Sequence, residues 1–159
     1  MGYRRLVALL TALLAGCGQS RSASAHASEA MLQEVDSAMA GYLKAQAQRD
    51  GSGMNAYYLD SPNFEALMNG KRQNLQSTRT SNVEYYGSLR AISGGFTDLR
   101  HVELGPDAVV VSGVRDQTMT DTTGVSVRHT GGASWVWLKR DGHWRIVQIS
   151  SHFDQTAAQ

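Results

Sequence analysis

Apolar residues near the start of the chain recur every three to four positions, the spacing of one helix face. The members of this stripe are Leu32, Val35, Met39, Tyr42 and Leu43. They predict an amphipathic helix from Glu29 to about Arg49, which the glycine-containing segment Asp50-Gly51-Ser52-Gly53 ends. A short second helix is predicted from Met54 to Leu59, before Ser61-Pro62 interrupts the pattern.

A strand, a turn and a third helix are predicted next. Residues Asn63 to Met68 have a strand pattern, and Asn69-Gly70 is a strong turn dipeptide. Apolar residues then return at helical spacing, at Leu75, Val83, Tyr86 and Leu89. This spacing predicts a helix from Leu75 to Ile92, closed by Ser93-Gly94-Gly95.

The rest of the chain alternates between strand-like runs and turn residues. The predicted strands are Phe96 to Leu104, Ala108 to Met119, Val125 to Arg140 and His143 to Phe153. The turns between them are Gly105-Pro106-Asp107, Thr122-Thr123-Gly124 and Asp141-Gly142. Helices followed by an antiparallel meander predict an α+β fold, with about three N-terminal helices packed on one face of a bent sheet.

The first residues have the order of an export signal. Arg4 and Arg5 precede an apolar run from Leu6 to Ala15, and small residues lead to Cys17. The run has ten residues, whereas a membrane-spanning helix needs about 20. A cleaved signal peptide is therefore favoured over a permanent transmembrane anchor.

The segment Leu14-Ala15-Gly16-Cys17 resembles the lipobox of bacterial lipoprotein precursors. The resemblance implies cleavage after residue 16, diacylation of Cys17 and attachment to a membrane of the cell envelope. Gly18 implies delivery to the outer membrane, facing the periplasm, if the source is Gram-negative. The Ser- and Ala-rich residues that follow predict a flexible tether, so the chain divides into a signal peptide (1–16), a lipidated tether (17–29) and a domain (30–156). An ordinary secretory signal with a chance cysteine is the alternative.

Length and charge restrict the class of protein. The chain has 159 residues, 42% of them hydrophobic and 18% charged, which suits one globular domain. Loss of Arg4 and Arg5 with the signal leaves 13 basic against 14 acidic side chains, so no nucleic-acid partner is indicated. Cys17 is the only cysteine, which excludes an intramolecular disulfide.

The order of elements and the final hairpin resemble the nuclear transport factor 2-like superfamily, and its SnoaL-like branch in particular. The most specific part is Asp-Gly-x-Trp-x-Ile, here Asp141, Gly142, Trp144 and Ile146. The resemblance covers about Met31 to Asp154 and implies a cone, in which a bent sheet wraps around helices and an apolar cavity opens at one end. Members of the superfamily are isomerases, dehydratases, cyclases, epoxide hydrolases and binding subunits, so the fold does not choose a function.

Strand alternation predicts three polar pocket residues. If Trp144 and Ile146 face the core, then Gln148, Ser150 and His152 face inward as well, nearer the mouth of the cone. A strand end that reaches solvent is the alternative. His152 is the best candidate for acid or base chemistry, because an imidazole exchanges its proton near neutral pH.

Aromatic residues complete the predicted ligand pocket, with Tyr57, Tyr58, Tyr86 and Trp135 as its candidates. A buried tyrosine either donates to an oxyanion or packs in the core with its hydroxyl at the surface. One strand parity holds Trp135 and Trp137, and the other holds Val136 and Leu138. The outward-facing pair suits a sheet-to-sheet homodimer, as the resemblance also implies.

Two further features concern carboxylates. Glu65 is the carboxylate nearest to the place where isomerases of this fold keep their general base, and its orientation is open. A second group is typical of a solvated charged loop, and the alternative is the epoxide-hydrolase arrangement that the family resemblance implies. Its members are Arg115, Asp116, Asp121, Arg128 and His129.

No metal or cofactor is predicted, because the five histidines lack the spacing of metal ligands. Three functions remain open. The first is a lipid-anchored domain that binds a small apolar or amphipathic molecule in the cone. The second is an isomerase, dehydratase or cyclase that uses the same pocket, and the third is a protein-interaction module that uses the sheet.

Overall fold

The computed structural model describes the backbone of residues 17–158 and the side chains of residues 28–158. The predicted signal peptide (1–16) and the side chain of Cys17 lie outside these residues. The helices are α1 (Cys17–Ala47), α2 (Gly51–Asn55) and α3 (Leu75–Gly87). Over the described part of the chain, none of these helices has the length and apolarity needed to cross a membrane.

Helix α1 buries the predicted stripe, with Val35, Met39 and Tyr42 in the core. It is longer than predicted, because residues 18–28 are helical rather than an irregular tether. The segment has no proline, and its alanines favour a helix, so its composition does not interrupt α1. The helix ends before Arg49, whose φ of 60° begins the turn into α2.

Polar contacts hold α1 to both margins of the long strands. The Asp36 carboxylate lies 2.8 Å from the His101 imidazole. On the other side, Glu34 accepts hydrogen bonds from Lys139 (2.5 Å) and from the Trp144 indole (2.9 Å). These contacts lower the pKa of Glu34, with Lys139 as the main cause. These contacts therefore connect α1 to strands on both sides of the sheet that wraps around it.

Helix α3 begins as predicted and ends earlier. The Asn74 side chain caps its first turn by accepting from the Ser77 amide at 2.9 Å. Leu89 is buried and already begins a strand. The predicted stop at Ser93-Gly94-Gly95 is therefore wrong: these residues lie within that strand, where a Cβ on Gly94 (φ 78°) would sit 2.2 Å from the Asp116 carbonyl oxygen.

Six strands form one sheet in the order β2-β1-β6-β5-β4-β3. Their bounds are β1 (Glu65–Met68), β2 (Lys71–Gln73), β3 (Leu89–Gly105), β4 (Ala108–Asp121), β5 (Ser126–Arg140) and β6 (His143–Ala157). The antiparallel meander of β3 to β6 is confirmed. The sheet is nevertheless mixed, because β1 pairs in parallel with β6 and brings the short strand β2 with it.

The inner face of the sheet and the helices share one core. Val109, Trp137 and Ile146 form one cross-strand row of this face, and Val111, Trp135 and Ile149 form the next. All six side chains are buried. The predicted α+β architecture, a bent sheet wrapped around three helices, is confirmed.

A bulge in β6 reverses the side-chain alternation. Trp137 pairs with Ile146, whereas the next residue back, Val136, pairs with Gln148. The additional residue in β6 shifts the inward parity, because a bulge places two residues opposite one. After Ile146 the inward residues are therefore Ile149, Ser151 and Phe153.

Candidate functional site

Arg115 is a buried cation on the inner face of β4. It follows Val109, Val111 and Gly113 in the inward alternation, and 5% of its surface is exposed. The interpretation of Arg115 as part of a solvated loop is therefore wrong. The strict alternation of β4 was the sequence signal that pointed inward.

Asp116 and Arg128 of the same group face outward and do remain at the surface, whereas Asp121 is half-buried at the end of β4. Asp116 and Arg128 form a bidentate ion pair with distances of 2.7 and 2.8 Å. Asp121 accepts from Thr123 and stabilises the turn between β4 and β5. The predicted cluster is thus divided between the two faces of the sheet, with His129 also buried inside.

The guanidinium of Arg115 lies between polar and aromatic partners. Its Nε donates to Gln117 Oε1 at 2.7 Å, and an Nη donates to Met119 Sδ at 3.4 Å. Its carbon lies 4.3 Å from the centre of the Phe153 ring and 5.7 Å from that of Phe96. Within residues 28–158, no carboxylate lies within 4 Å of this cation.

A hydrogen-bonded chain connects the sheet to α1 and α3. Gln117 Nε2 donates to Gln46 Oε1 at 3.2 Å, and Gln46 Nε2 donates to the Tyr86 hydroxyl at 2.8 Å. All three side chains are buried. These hydrogen bonds orient the Gln117 amide so that its oxygen faces Arg115.

A second polar group lies deeper between the helices. Asn82 donates to the Tyr58 hydroxyl at 2.7 Å, and this hydroxyl is 3.5 Å from that of Tyr42. Burial raises the pKa of Tyr58 to about 12, against the opposing effect of these hydrogen bonds. Burial also raises the pKa values of Tyr42 and Tyr86, so the interior tyrosines are neutral phenols at physiological pH.

The interior disfavours positive charge. Burial lowers the pKa of Arg115, although an arginine remains charged in any accessible pH range. Burial, and then the positive charge of Arg115, lower the pKa of His129 below its ordinary value of 6.5. At neutral pH, and among residues 28–158, the cone therefore holds one buried cation, Arg115, beside the neutral imidazole of His129.

Besides His101 Nε2, which lies 2.8 Å from an Asp36 oxygen, two buried side-chain atoms have no hydrogen-bond partner among the described residues: Ser151 Oγ and Trp137 Nε1. Trp137 is enclosed by the edges of Tyr42 and Tyr57, with ring centres 6.5 and 6.4 Å away. Ser151 instead occupies a row of small residues, opposite Ala133, which in turn pairs with Gly113. Trp137 is thus surrounded by aromatic rings, whereas Ser151 lies beside small residues.

The bulge in β6 moves three predicted pocket residues to the outer face. Gln148 and His152 are exposed and Ser150 is half-buried, and each belongs to the outward parity. The His152 side chain is 80% exposed and lies 3.9 Å from Asp154. The predicted inward orientation of these residues is wrong, because alternation was extended through a bulge.

The predicted aromatic residues lie inside. Tyr58, Tyr86 and Trp135 are buried, and Tyr57 is half-buried against Tyr42 and Trp137. Trp135 lies in the aromatic group next to Arg115 through its contact with Phe96 (ring centres 4.9 Å apart), and Tyr86 is linked to Arg115 through Gln46 and Gln117.

Glu65 faces outward and pairs with Arg72 at 2.7 Å, so it does not supply an interior base. Two surface depressions, of about 480 and 340 Å³, also lie outside the cone. The first is at the ends of β4 to β6, and the second is on α2 and α3. Among the described residues, no three metal-ligating side chains come together.

Comparison with known proteins supports the fold. The family described as "Calcium/calmodulin dependent protein kinase II association domain" matches residues 89–155, which is less than half of the chain. A comparison with curated protein sequences gave no significant match.

Solved structures match over most of the chain. A protein from Novosphingobium aromaticivorans, provisionally named a scytalone dehydratase, has a TM-score of 0.73 and 12% identity, covering 85% of this chain and 92% of its own. A nuclear transport factor 2-like superfamily protein from Salmonella enterica has a TM-score of 0.70 and 18% identity, covering 82% and 94%. A provisionally named dehydratase of the same superfamily from Streptomyces avermitilis has a TM-score of 0.68 and 13% identity, covering 77% and 95%. The predicted nuclear transport factor 2-like fold is confirmed.

Proposed function

We propose that this chain is an exported, lipid-anchored domain that binds a small amphipathic anion inside its cone, with the anionic group on Arg115. This proposal rests on Arg115, a residue that is 5% exposed and has no carboxylate within 4 Å among the described residues. A buried charge costs several kcal/mol unless an opposite charge and hydrogen bonds compensate it. A bound carboxylate supplies both.

The donor inventory of Arg115 supports this proposal. An arginine has five N–H donors in a planar fork that matches a carboxylate. The described contacts are with Gln117 and Met119, and the sulfur of Met119 is a weak acceptor. Donors therefore remain for a ligand.

The neighbours of Arg115 indicate an apolar body for the ligand. Phe96 contacts both Trp135 and Phe153, with ring centres 4.9 and 6.3 Å apart. Apolar walls with a few fixed polar groups are typical of small-molecule sites. An arylalkanoic acid has both required parts, an anionic head and a ring that packs against aromatic edges.

Titration calorimetry on the full chain in a non-ionic detergent tests the site, with 3-phenylpropionate as the probe. We expect saturable binding that Arg115→Gln weakens at least tenfold, because a charge-assisted hydrogen bond is lost. Arg128→Gln is the matched control, since Arg128 is an outward arginine already paired with Asp116. Equal weakening by both variants, or no binding to the original chain, contradicts the proposal.

The anchor is a separate part of the proposal. It rests on the sequence from Arg4 to Cys17, where a basic start and an apolar run lead to the lipobox-like segment. Metabolic labelling with palmitate in a bacterial host is the test. We expect Cys17→Ser to abolish labelling and to leave the uncleaved precursor, whereas a labelled variant would contradict lipidation at this residue.

A second candidate function, self-association through the outer face of the sheet, has its own observation. Val102 and Leu104 at one edge are 58% and 60% exposed, and Val110, Val136 and Leu138 continue the apolar surface across β4 and β5. Apolar patches of this kind mark interaction sites. Light scattering after size exclusion is expected to show a dimer that Val136→Arg dissociates. A monomer at high concentration would end this candidate.

A further inference from the structure

We infer that Ser151 is the second polar contact of the ligand, and that the ligand is an arylalkanoic acid with a hydroxyl or oxo group beside its carboxylate. The inference rests on the proposed binding at Arg115 and specifies its chemistry. Ser151 is 8% exposed, and its hydroxyl is buried with no hydrogen-bond partner among the described side chains. An unsatisfied buried hydroxyl is unfavourable, and a ligand oxygen would satisfy it.

Ser151 and the Arg115 guanidinium lie at neighbouring inward positions. The Arg115 side chain extends across β5, and its guanidinium carbon lies 4.3 Å from the centre of the Phe153 ring. Phe153 is two residues after Ser151 on β6. Successive inward residues of a strand are about 6.6 Å apart. A ligand on Arg115 therefore has to extend across one row of the inner face to reach Ser151, which two adjacent oxygens on one small molecule allow.

A lone carboxylate uses the guanidinium fork and leaves Ser151 unpaired. An oxygen on the neighbouring carbon extends the polar end of the ligand by one bond towards β6. This geometry distinguishes a 2-hydroxy or 2-oxo acid from the unsubstituted acid. The serine therefore determines specificity rather than attachment.

The row that contains Ser151 is lined by small residues. Its other members, Gly113 and Ala133, are a glycine and an alanine. Leu99 covers this row, since a Cβ on Gly113 would lie 2.7 Å from a Leu99 methyl carbon. Leu99 is partly exposed and lies within a register shift of β3, so its side chain is the one that yields to an entering ring.

The test compares two probes, 3-phenyllactate and 3-phenylpropionate, on the full chain in the same detergent. We expect the original chain to prefer 3-phenyllactate about fivefold to tenfold, the effect of one additional buried hydrogen bond. Ser151→Ala should bind the two acids equally, while its affinity for 3-phenylpropionate stays within about twofold. Ser150→Ala, the outward neighbour, should keep the preference.

The outcomes separate this inference from the proposal on which it rests. Equal binding of both acids by the original chain, or a preference that survives in Ser151→Ala, overturns the role of Ser151 and leaves Arg115 intact. Binding of neither acid overturns both. Ser151→Gly is a second hydroxyl-free variant, and melting curves of both variants show whether loss of preference accompanies loss of the fold.

Discussion

The guanidinium carbon of Arg115 lies 4.3 Å from the centre of the Phe153 ring, although β5 separates their strands. The residue between them in the register is Gly131, which has no side chain. The arginine thus crosses the inner face of the sheet at a glycine and ends on an aromatic ring. A cation over a ring recovers about 0.5–2 kcal/mol, less than the cost of burying an unpaired charge.

Gly131 is predicted to be indispensable for the fold. Its φ is 146°, and a Cβ at this position would lie 2.1 Å from the His152 carbonyl oxygen, a backbone atom of β6. We expect Gly131→Ala to lower the free energy of unfolding by about 2 kcal/mol or more, measured by urea denaturation. Gly132→Ala is the control, because a Cβ there meets nothing nearer than 3.9 Å. Similar losses in both variants would show that the contact with β6 is not the cause.

Arg115 is predicted to reduce the stability of the ligand-free protein. Arg115→Met keeps much of the side-chain volume and removes the buried charge, so we expect unfolding to require about 1–2 kcal/mol more. The same variant should lose any stabilisation by 3-phenylpropionate. Urea denaturation with and without the probe measures both effects. Destabilisation of the ligand-free variant would mean that Gln117, Met119 and the aromatic rings fully compensate the charge.

The sequence was most informative where one period continues without interruption. The stripe from Leu32 to Leu43 predicted the packed face of α1, and Asp141-Gly142 predicted the β5-β6 hairpin. Both depend on local patterns, which propensity and turn chemistry determine. The same kind of local pattern wrongly predicted a helix end at Gly94. This glycine is needed because the backbone of β4, a distant part of the chain, lies too close for a Cβ.

The candidate site was less accessible to prediction for two physical reasons. The bulge after Ile146 is a property of the pairing between β5 and β6, and strict alternation from Trp144 does not reveal it. Arg115 continues the inward parity of β4, but a charged side chain is rarely buried without a partner. The charge of Arg115 therefore predicts a surface position, whereas its strand parity predicts the buried position that it occupies.

The bulge itself can be tested by chemical labelling. In a chain that carries Cys17→Ser, single cysteines at positions 149, 150, 151 and 152 report which side of β6 faces solvent. We expect a charged thiol reagent to modify Ser150→Cys and His152→Cys at least about ten times faster than Ile149→Cys and Ser151→Cys, because a buried thiol is inaccessible. Reversed reactivities would indicate unbroken alternation from Trp144 and would remove Ser151 from the interior.

His129 is predicted to make stability depend on pH. Burial and the charge of Arg115 lower its pKa in the folded chain, whereas the unfolded chain keeps the ordinary value of 6.5. The unfolded state therefore binds the proton more readily, and the stabilisation present above pH 6.5 is lost as the pH falls towards the folded pKa. The carboxylates of Glu34, Asp116 and Asp121 contribute little in this window, because their pKa values are lowered from ordinary values that already lie below it.

Urea denaturation at pH 7.5 and 5.5 measures this dependence. The original chain should lose stability between the two values, and His129→Gln should lose less, because its side chain stays neutral. His152→Gln is the matched control and should behave as the original chain, since that imidazole is at the surface. If His129→Gln shows the full loss, the proton responsible binds elsewhere, and Arg115 does not have a titrating neighbour in the cone.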